Sequence, residues 1–112
     1  MTPGNKRNIA LWGFMGTGKS TAGRLVAARL GLAFVDTDAV IEARAGRTIA
    51  DIFAQDGEPA FRALEAAICQ EAAAGREQVI AAGGGALLDP AVFDALAASS
   101  LLVNLTCDLD EI

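Results

Sequence analysis

A glycine-rich segment near the start of the sequence restricts the possible folds more than any other feature. Residues 13–20 read GFMGTGKS and match the pattern G-x-x-x-x-G-K-[ST]. A short apolar stretch at residues 9–12 precedes the segment, and a helical pattern over 19–30 follows it. A strand, a loop and a helix in this order form the setting in which such a segment binds phosphate. The sequence therefore predicts a phosphate-binding loop within an α/β fold, rather than an ordinary glycine-rich turn.

Each residue type in this segment has a physical role in holding a nucleotide. Glycines allow the loop to fold back so that backbone N–H groups point at phosphate oxygens, and the helix start adds a partial positive charge. Lys19 is expected to reach the β- and γ-phosphates, and Ser20 is expected to hold Mg²⁺. The segment predicts nucleotide binding but does not define a second substrate.

The composition excludes several other classes of protein. The chain has 112 residues, of which 53% are apolar, so it forms at most one domain with a hydrophobic core. A net charge of -5 without a cluster of Lys and Arg argues against a nucleic-acid partner, and no apolar run is long enough to cross a membrane. Cys69 and Cys107 are too few for a disulfide framework, so a reducing cytoplasmic setting is expected. Histidine is absent, so acid–base work falls to carboxylates or to substrate phosphate.

Apolar runs alternate with longer helical segments along the chain, and this order predicts βαβ units and a parallel sheet with helices on both faces. The predicted strands are 8–13, 33–36, 78–82 and 101–105. The predicted helices are 19–30, a second from Asp38 to Gly46, a short third capped by Thr48 and ending at Ala54, a fourth over 58–74, and a fifth from Asp89-Pro90 to Ala98. Because the pattern suggests another helix beginning at the last residues, we expect residues 1–112 to be one domain that stops short of its full length.

Two carboxylates follow the second predicted strand. Asp36 and Asp38 come at its carboxyl end, and open α/β sheets bind ligands at that edge. Asp36 is expected to orient Mg²⁺, through water, and Asp38 is expected to point toward a second substrate. The alternative is that one of the two, Asp38 above all, serves only as the N-cap of the next helix.

Two further features have both a structural and a functional interpretation. Arg62 and Glu65 are three residues apart on the fourth predicted helix, and spacing alone favours an ordinary surface ion pair. The functional interpretation is that Glu65 holds Arg62, whose planar fork then binds a carboxylate at two points. The triplet Gly83-Gly84-Gly85 after the third strand indicates either a close approach of the backbone to a ligand or a permissive turn.

Taken together, four segments resemble shikimate kinase in order and spacing: GFMGTGKST at 13–21, DTD at 36–38, GEPAFRALE at 57–65 and GGG at 83–85. The resemblance covers essentially the whole chain. It implies a P-loop kinase fold with strand order 2-3-1-4-5, of which the last strand and a mobile lid are missing from this sequence. It also implies phosphoryl transfer from Mg-ATP to the 3-hydroxyl of shikimate, in the pathway to chorismate and the aromatic amino acids.

The resemblance further implies a role for each matching residue. ATP contacts fall on Gly16, Thr17, Gly18, Lys19, Ser20 and Thr21. Lys19 and Asp38 are the implied catalytic residues, and Ser20 and Asp36 the residues near the metal. The implied substrate contacts are Asp38, Arg62, Gly83, Gly84 and Gly85, with Phe53 and Phe61 around the ring and Glu65 supporting Arg62.

Two alternatives stay open at this point. The chain could be another small-molecule kinase of the same fold, such as a gluconate or nucleotide kinase, with a different acceptor site. It could instead be a non-catalytic nucleotide-binding regulatory module, although such a module is expected to lose the acidic residues that this sequence keeps. The expected partners are ATP, ADP and shikimate, without nucleic acid or membrane, and we expect a monomer.

Overall fold

The computed structural model describes residues 8–12, 17–82 and 85–104, with only the backbone described at 17–20 and at 104. Its elements, in chain order, are β1 (Asn8–Trp12), α1 (Thr17–Leu30), β2 (Ala33–Asp36), α2 (Thr37–Ala45), α3 (Ile49–Asp56), α4 (Glu58–Ala74), β3 (Gln78–Ala81), a short 3₁₀ helix (Ala86–Leu88), α5 (Pro90–Ser99) and β4 (Ser100–Asn104). No helix within these described ranges is long and apolar enough to span a membrane.

The four described strands form one parallel sheet in the order β2-β3-β1-β4. This confirms the predicted fold class and the first four positions of the expected strand order, whereas the fifth strand stays a prediction. One row of side chains crosses the sheet, because Val35 pairs with Ile80, Ile80 with Ala10, and Ala10 with Leu102. Since successive side chains of a strand point to opposite faces, this row defines one face of the sheet.

Helices cover both faces of the sheet, as the βαβ pattern predicts. On the face of the Ala10 row, the buried residues of α4 and α5, Cys69, Ala73, Val92 and Leu96, complete one core. On the opposite face, Ala27 of α1 packs against Leu11 and Val79. A third cluster joins α2, α3 and α4 through four buried side chains, Ile41, Ile52, Phe61 and Ile68. Burial of these apolar side chains is the main force that fixes the layers.

The start of α2 differs from the prediction. The helix begins at Thr37, and its N-cap is Asp36, not Asp38. Asp36 has an extended backbone, and its Oδ1 accepts hydrogen bonds from the backbone N–H groups of Asp38 at 3.0 Å and Ala39 at 3.4 Å. An N-cap side chain reaches the N–H groups two and three residues ahead, and only Asp36 has this position relative to the first turn. Gly46 ends the helix in a left-handed conformation, with φ of 68°, as predicted.

The other helix ends follow the sequence signals closely. Thr48 caps α3 by accepting from the N–H of Asp51 at 3.1 Å, and Asp89 caps α5 by accepting from the N–H of Ala91 at 2.9 Å. The predicted range 58–74 of α4 is confirmed. The 3₁₀ helix at Ala86–Leu88 was not predicted, because three residues are too few to produce a periodic pattern.

Candidate functional site

The predicted site lies along the carboxyl edge of the parallel sheet. Here β1 ends at Trp12 and α1 begins at Thr17, so the strand that precedes the glycine-rich segment and the helix in which it ends are confirmed. The first turn of α1 carries no acidic residue, and its partial positive charge is therefore not opposed there. Gly16, Gly83 and Gly84 lie outside the described residues, as do the side chains of Thr17, Lys19 and Ser20. Their predicted contacts stay predictions.

A buried hydroxyl ties together the ends of two strands at this edge. Thr37 is fully buried, and its Oγ1 donates a hydrogen bond to the carbonyl oxygen of Ala81 at 3.2 Å. This bond joins the end of β2 to the end of β3. Asp38 follows directly in the first turn of α2 and is half-buried. The carboxylate predicted to face the second substrate is thus attached to a rigid point of the sheet edge.

Arg62 pairs with two carboxylates of very different environments. Its Nη1 donates to Oε1 of Glu65 at 2.8 Å, and its Nε donates to Oε2 of Glu58 at 3.3 Å. Glu65 is only 3% exposed, so the interpretation of this pair as an ordinary surface pair is wrong. The hydrogen bond from Arg62 to Glu65 is the main cause that raises the pKa of Arg62 above its ordinary value. Arg62 therefore stays positively charged at any working pH.

The backbone of Gly85 approaches the guanidinium of Arg62 closely. A Cβ atom placed on Gly85 would lie 2.7 Å from Nη1 of Arg62 and 2.9 Å from its Nη2. The Cζ atom of Arg62 also lies 5.3 Å from the ring centroid of Phe61, a distance typical of a cation–π contact. The group that the backbone approaches at Gly85 is a side chain of the protein itself, so the predicted approach of the glycine triplet to a ligand stays a prediction.

Arg62, Glu65 and Gly85 share a cavity of about 230 Å³ between α4, the 3₁₀ helix and the start of α5. Pockets for drug-sized ligands measure roughly 300–1,000 Å³, so this cavity suits a smaller molecule. The residues that line it are Glu58, Arg62, Glu65, Ala66, Gly85, Leu88, Asp89 and Val92. Among the described residues, the lining combines apolar side chains with the guanidinium of Arg62 and the carboxylates of Glu58, Glu65 and Asp89.

The predicted residues differ in how closely they surround this cavity. Phe53 and Phe61 do not line it; their rings pack together, with centroids 4.8 Å apart. Asp38 is also not part of the lining. Its negative charge, like those of Glu65 and Asp89, nevertheless raises the pKa of the Cys69 thiol. Sequence reasoning missed Glu58 as a partner of Arg62. The spacing of four residues on one helix is a signal that could have found it.

Cys69 is a buried residue of α4 and belongs to the hydrophobic core. It is fully buried, and burial raises its pKa to about 12, with smaller contributions from the carboxylates of Glu65, Asp38 and Asp89. A hydrogen bond with Thr37 acts in the opposite direction. A thiol with such a pKa is not a nucleophile at neutral pH.

The raised pKa of Cys69 predicts a loss of stability at alkaline pH. The unfolded thiol ionises from about pH 9.0, whereas the folded thiol keeps its proton until about pH 12. The unfolded state is thus favoured as the pH rises through this window, by about 1.4 kcal/mol per pH unit. We expect the stability advantage of the wild type over Cys69→Ala, measured by denaturant unfolding, to be constant up to pH 8.5 and to shrink between pH 9 and pH 11. Parallel pH profiles of the two proteins would contradict this assignment.

A parallel sheet in the order β2-β3-β1-β4, with helices on both faces and a G-x-x-x-x-G-K-[ST] segment that follows β1 and ends in the first turn of α1, defines the P-loop kinase fold. A profile of the shikimate kinase family matches residues 15–112. The chain belongs to the shikimate kinase family.

Individual relatives agree with this assignment. The chain is 62% identical over 81 residues to the shikimate kinase of Symbiobacterium thermophilum, covering 72% of this chain and 47% of that protein. It is 44% identical over 110 residues to the shikimate kinase of Geobacter metallireducens, covering 98% of this chain and 62% of that protein. The solved structure of shikimate kinase from Acinetobacter baumannii in complex with shikimate superimposes with a TM-score of 0.88 at 37% identity, covering 94% of this chain and 59% of that one. The chain thus spans about half to three fifths of the length of these relatives.

Proposed function

We propose that the protein transfers a phosphoryl group from Mg-ATP to the 3-hydroxyl of shikimate, giving shikimate 3-phosphate, in the pathway to chorismate and the aromatic amino acids. The observation that carries the proposal is the arginine at the rim of a small cavity, held by a buried glutamate and close to a glycine backbone. Membership of the shikimate kinase family and the likeness to a structure that contains shikimate support it.

The carboxylate of shikimate is proposed to bind Arg62. A guanidinium grips a carboxylate through two parallel N–H bonds, and such charge-assisted pairs are about twice as strong as neutral hydrogen bonds. The grip requires that the fork be fixed in advance, which the bond to buried Glu65 provides. Phe61 beneath the guanidinium and Gly85 close to it further restrict its movement.

The phosphate groups of ATP are proposed to bind at residues 16–21. The start of α1, which follows β1 after residues 13–16, presents backbone N–H groups, and Lys19 lies in the first turn of that helix. Phosphoryl transfer depends mainly on positioning and on neutralising the charge of the transferred group. The positive charge of Lys19 is expected to act on the γ-phosphate as it moves.

Mg²⁺ is proposed to be held by Ser20 and, through water, by Asp36. Oxygen ligands suit Mg²⁺, which usually takes one or two carboxylates together with substrate phosphates. Asp36 fits this requirement because it ends β2 at the nucleotide edge, and two backbone N–H groups fix its Oδ1. When bound with ATP, Mg²⁺ neutralises phosphate charge.

Asp38 is proposed to receive the proton of the acceptor. As the 3-hydroxyl oxygen forms its bond to the γ-phosphorus, the bond from that phosphorus to the leaving ADP oxygen breaks, and the hydroxyl proton passes to the carboxylate of Asp38. The half-buried position of Asp38 at a rigid sheet edge suits this role, because a general base must be held within hydrogen-bond reach of its proton. With this function we also propose that the protein is located in the cytoplasm and is a monomer. Nothing in the sequence favours a nucleic-acid or membrane partner.

Arg62→Lys tests the carboxylate grip. Lysine keeps a positive charge beside Glu65 but has no planar fork, so at least one charge-assisted bond to shikimate should be lost. That loss is worth about 1.5–3 kcal/mol, so we expect titration calorimetry to show roughly 10- to 150-fold weaker shikimate binding. Arg44→Lys is the matched control, because Arg44 makes an exposed pair with Glu71 outside the cavity. Equal affinities of the wild type and Arg62→Lys would contradict the proposed grip.

Turnover by the intact protein, including the lid that the resemblance places outside residues 1–112, also separates the proposed function from its alternatives. Mg-ATP should give ADP release with shikimate and none with gluconate or nucleoside monophosphates. Turnover of either of those acceptors, with shikimate inert, would establish the other small-molecule kinase. Nucleotide binding without turnover of any acceptor would favour the regulatory module.

A further inference from the structure

The guanidinium of Arg62 is partly occupied by residues of the protein itself. A carboxylate can be gripped at two points either through Nε and Nη2 or through Nη1 and Nη2. Glu58 accepts from Nε, and Glu65 accepts from Nη1. Because Nε has a single hydrogen, the edge formed by Nε and Nη2 opens to a ligand only when Glu58 leaves.

The two glutamates hold Arg62 with unequal strength. The hydrogen bond to Glu65 is 2.8 Å long, and the side chain of Glu65 is 5% exposed. The hydrogen bond to Glu58 is 3.3 Å long, and the side chain of Glu58 is 62% exposed. A buried carboxylate that loses its cation is strongly disfavoured, while an exposed ion pair contributes little. Of the two, Glu58 is the residue that can release Arg62.

Released Glu58 keeps a favourable position. It is the first residue of α4, and the N-cap Gly57 provides no side-chain cap to that helix. A carboxylate in the first turn interacts favourably with the partial positive charge of the helix start. When Glu58 leaves Arg62, its carboxylate is therefore hydrated and stays near the positive end of α4, where its negative charge is favourable.

The charged side chains around the cavity explain why displacement of Glu58 affects the affinity for an anionic ligand. Among the described residues, three carboxylates, those of Glu58, Glu65 and Asp89, line the cavity with one guanidinium. An incoming carboxylate must compete with Glu58 for the cation and is also repelled by it. A neutral ligand meets neither effect.

We propose that Glu58 competes with ligands for Arg62: it occupies the Nε–Nη2 edge, one of the two edges that can bind a carboxylate, and is displaced by the carboxylate of the substrate. Because a ligand must displace Glu58 before it can bind this edge of Arg62, small carboxylates that make no other contacts bind more weakly. The substrate named here rests on the proposed function. The competition between carboxylates at Arg62 does not depend on that name.

Glu58→Gln tests the competition directly. Glutamine has nearly the same shape but no charge, so the edge of Arg62 should become easier to occupy. We expect calorimetry at low salt to show shikimate binding about two- to fivefold tighter than in the wild type, the range expected for an exposed ion pair. The gain should shrink at high salt, because exposed charges are screened, and should vanish for the uncharged carboxamide of shikimate. Glu71→Gln, which removes a charge from an exposed Arg–Glu pair away from the cavity, should show no gain.

The outcomes separate this proposal from the proposed function. Unchanged or weaker shikimate binding in Glu58→Gln, or an equal gain for the carboxamide, would overturn the competitor role. If the wild type binds no shikimate, the proposed function fails, and acetate then serves as the probe. In that case the Nε–H resonance of Arg62 is followed by NMR during an acetate titration. Saturation at the same acetate concentration in both proteins would overturn the proposal, and saturation at a lower concentration in Glu58→Gln would support it.

Discussion

Lys19→Ala in the intact protein is expected to eliminate phosphoryl transfer while leaving the fold unchanged. Lys19 lies in the first turn of α1, directly after the loop that follows β1, where its charge is predicted to contact the transferred phosphate. Cationic contacts to a transferring phosphoryl group are worth a factor of about 10³–10⁵ in rate. Turnover should therefore fall below detection in an ADP-release assay with Mg-ATP and shikimate. The helical signal in circular dichroism should match that of the wild type.

Lys6→Ala provides the matched control for this experiment. Lys6 and Lys19 are the two lysines of the chain, and Lys6 lies outside the phosphate-binding motif. Both variants change the net charge equally, so a general electrostatic effect would appear in both. Turnover by Lys19→Ala within about tenfold of the wild type, a difference of only about 1.4 kcal/mol in the barrier, would remove the phosphate-binding role from this segment.

Asp38→Asn is expected to reduce turnover far more than it reduces shikimate binding. An amide has nearly the same size as a carboxylate but cannot take up the hydroxyl proton, and a positioned general base contributes about 10²–10⁴-fold to rate. Thr37 keeps its bond to Ala81 in this variant, so the edge of the sheet should hold its geometry. Steady-state kinetics should show kcat reduced by about this factor, with a smaller change in KM for shikimate.

Asp94→Asn removes one carboxylate from the exposed surface of α5 and serves as the control. It should match the wild type in both kinetic constants. If Asp38→Asn raised KM strongly and left kcat unchanged, Asp38 would be a residue that binds the hydroxyl groups and not the group that accepts the proton. If neither constant changed, Asp38 would have no part in the site.

The sequence by itself determined the order of the elements and predicted a phosphate-binding segment at the start of α1. The G-x-x-x-x-G-K-[ST] segment could be assigned because each of its residue types is required locally, by the turn of the loop and the start of the helix. Capping residues fixed helix ends for the same reason, since Thr48 and Asp89 act on N–H groups two or three residues away. The parallel sheet followed from the alternation of apolar runs and helices. Information of this kind is contained in neighbouring residues.

The acceptor side was determined by sequence only through the resemblance to a family, and its geometry was decided by the tertiary structure. Spacing predicted that Arg62 and Glu65 could meet, but the burial that makes Glu65 a fixed anchor comes from the packing of α4 within the fold. The approach of Gly85 to Arg62 joins residues far apart in the chain. Glu58 competes with the ligand only because the folded structure leaves it exposed while Glu65 is buried. Burial and long-range contact depend on where distant segments pack, and no local pattern of residues records that.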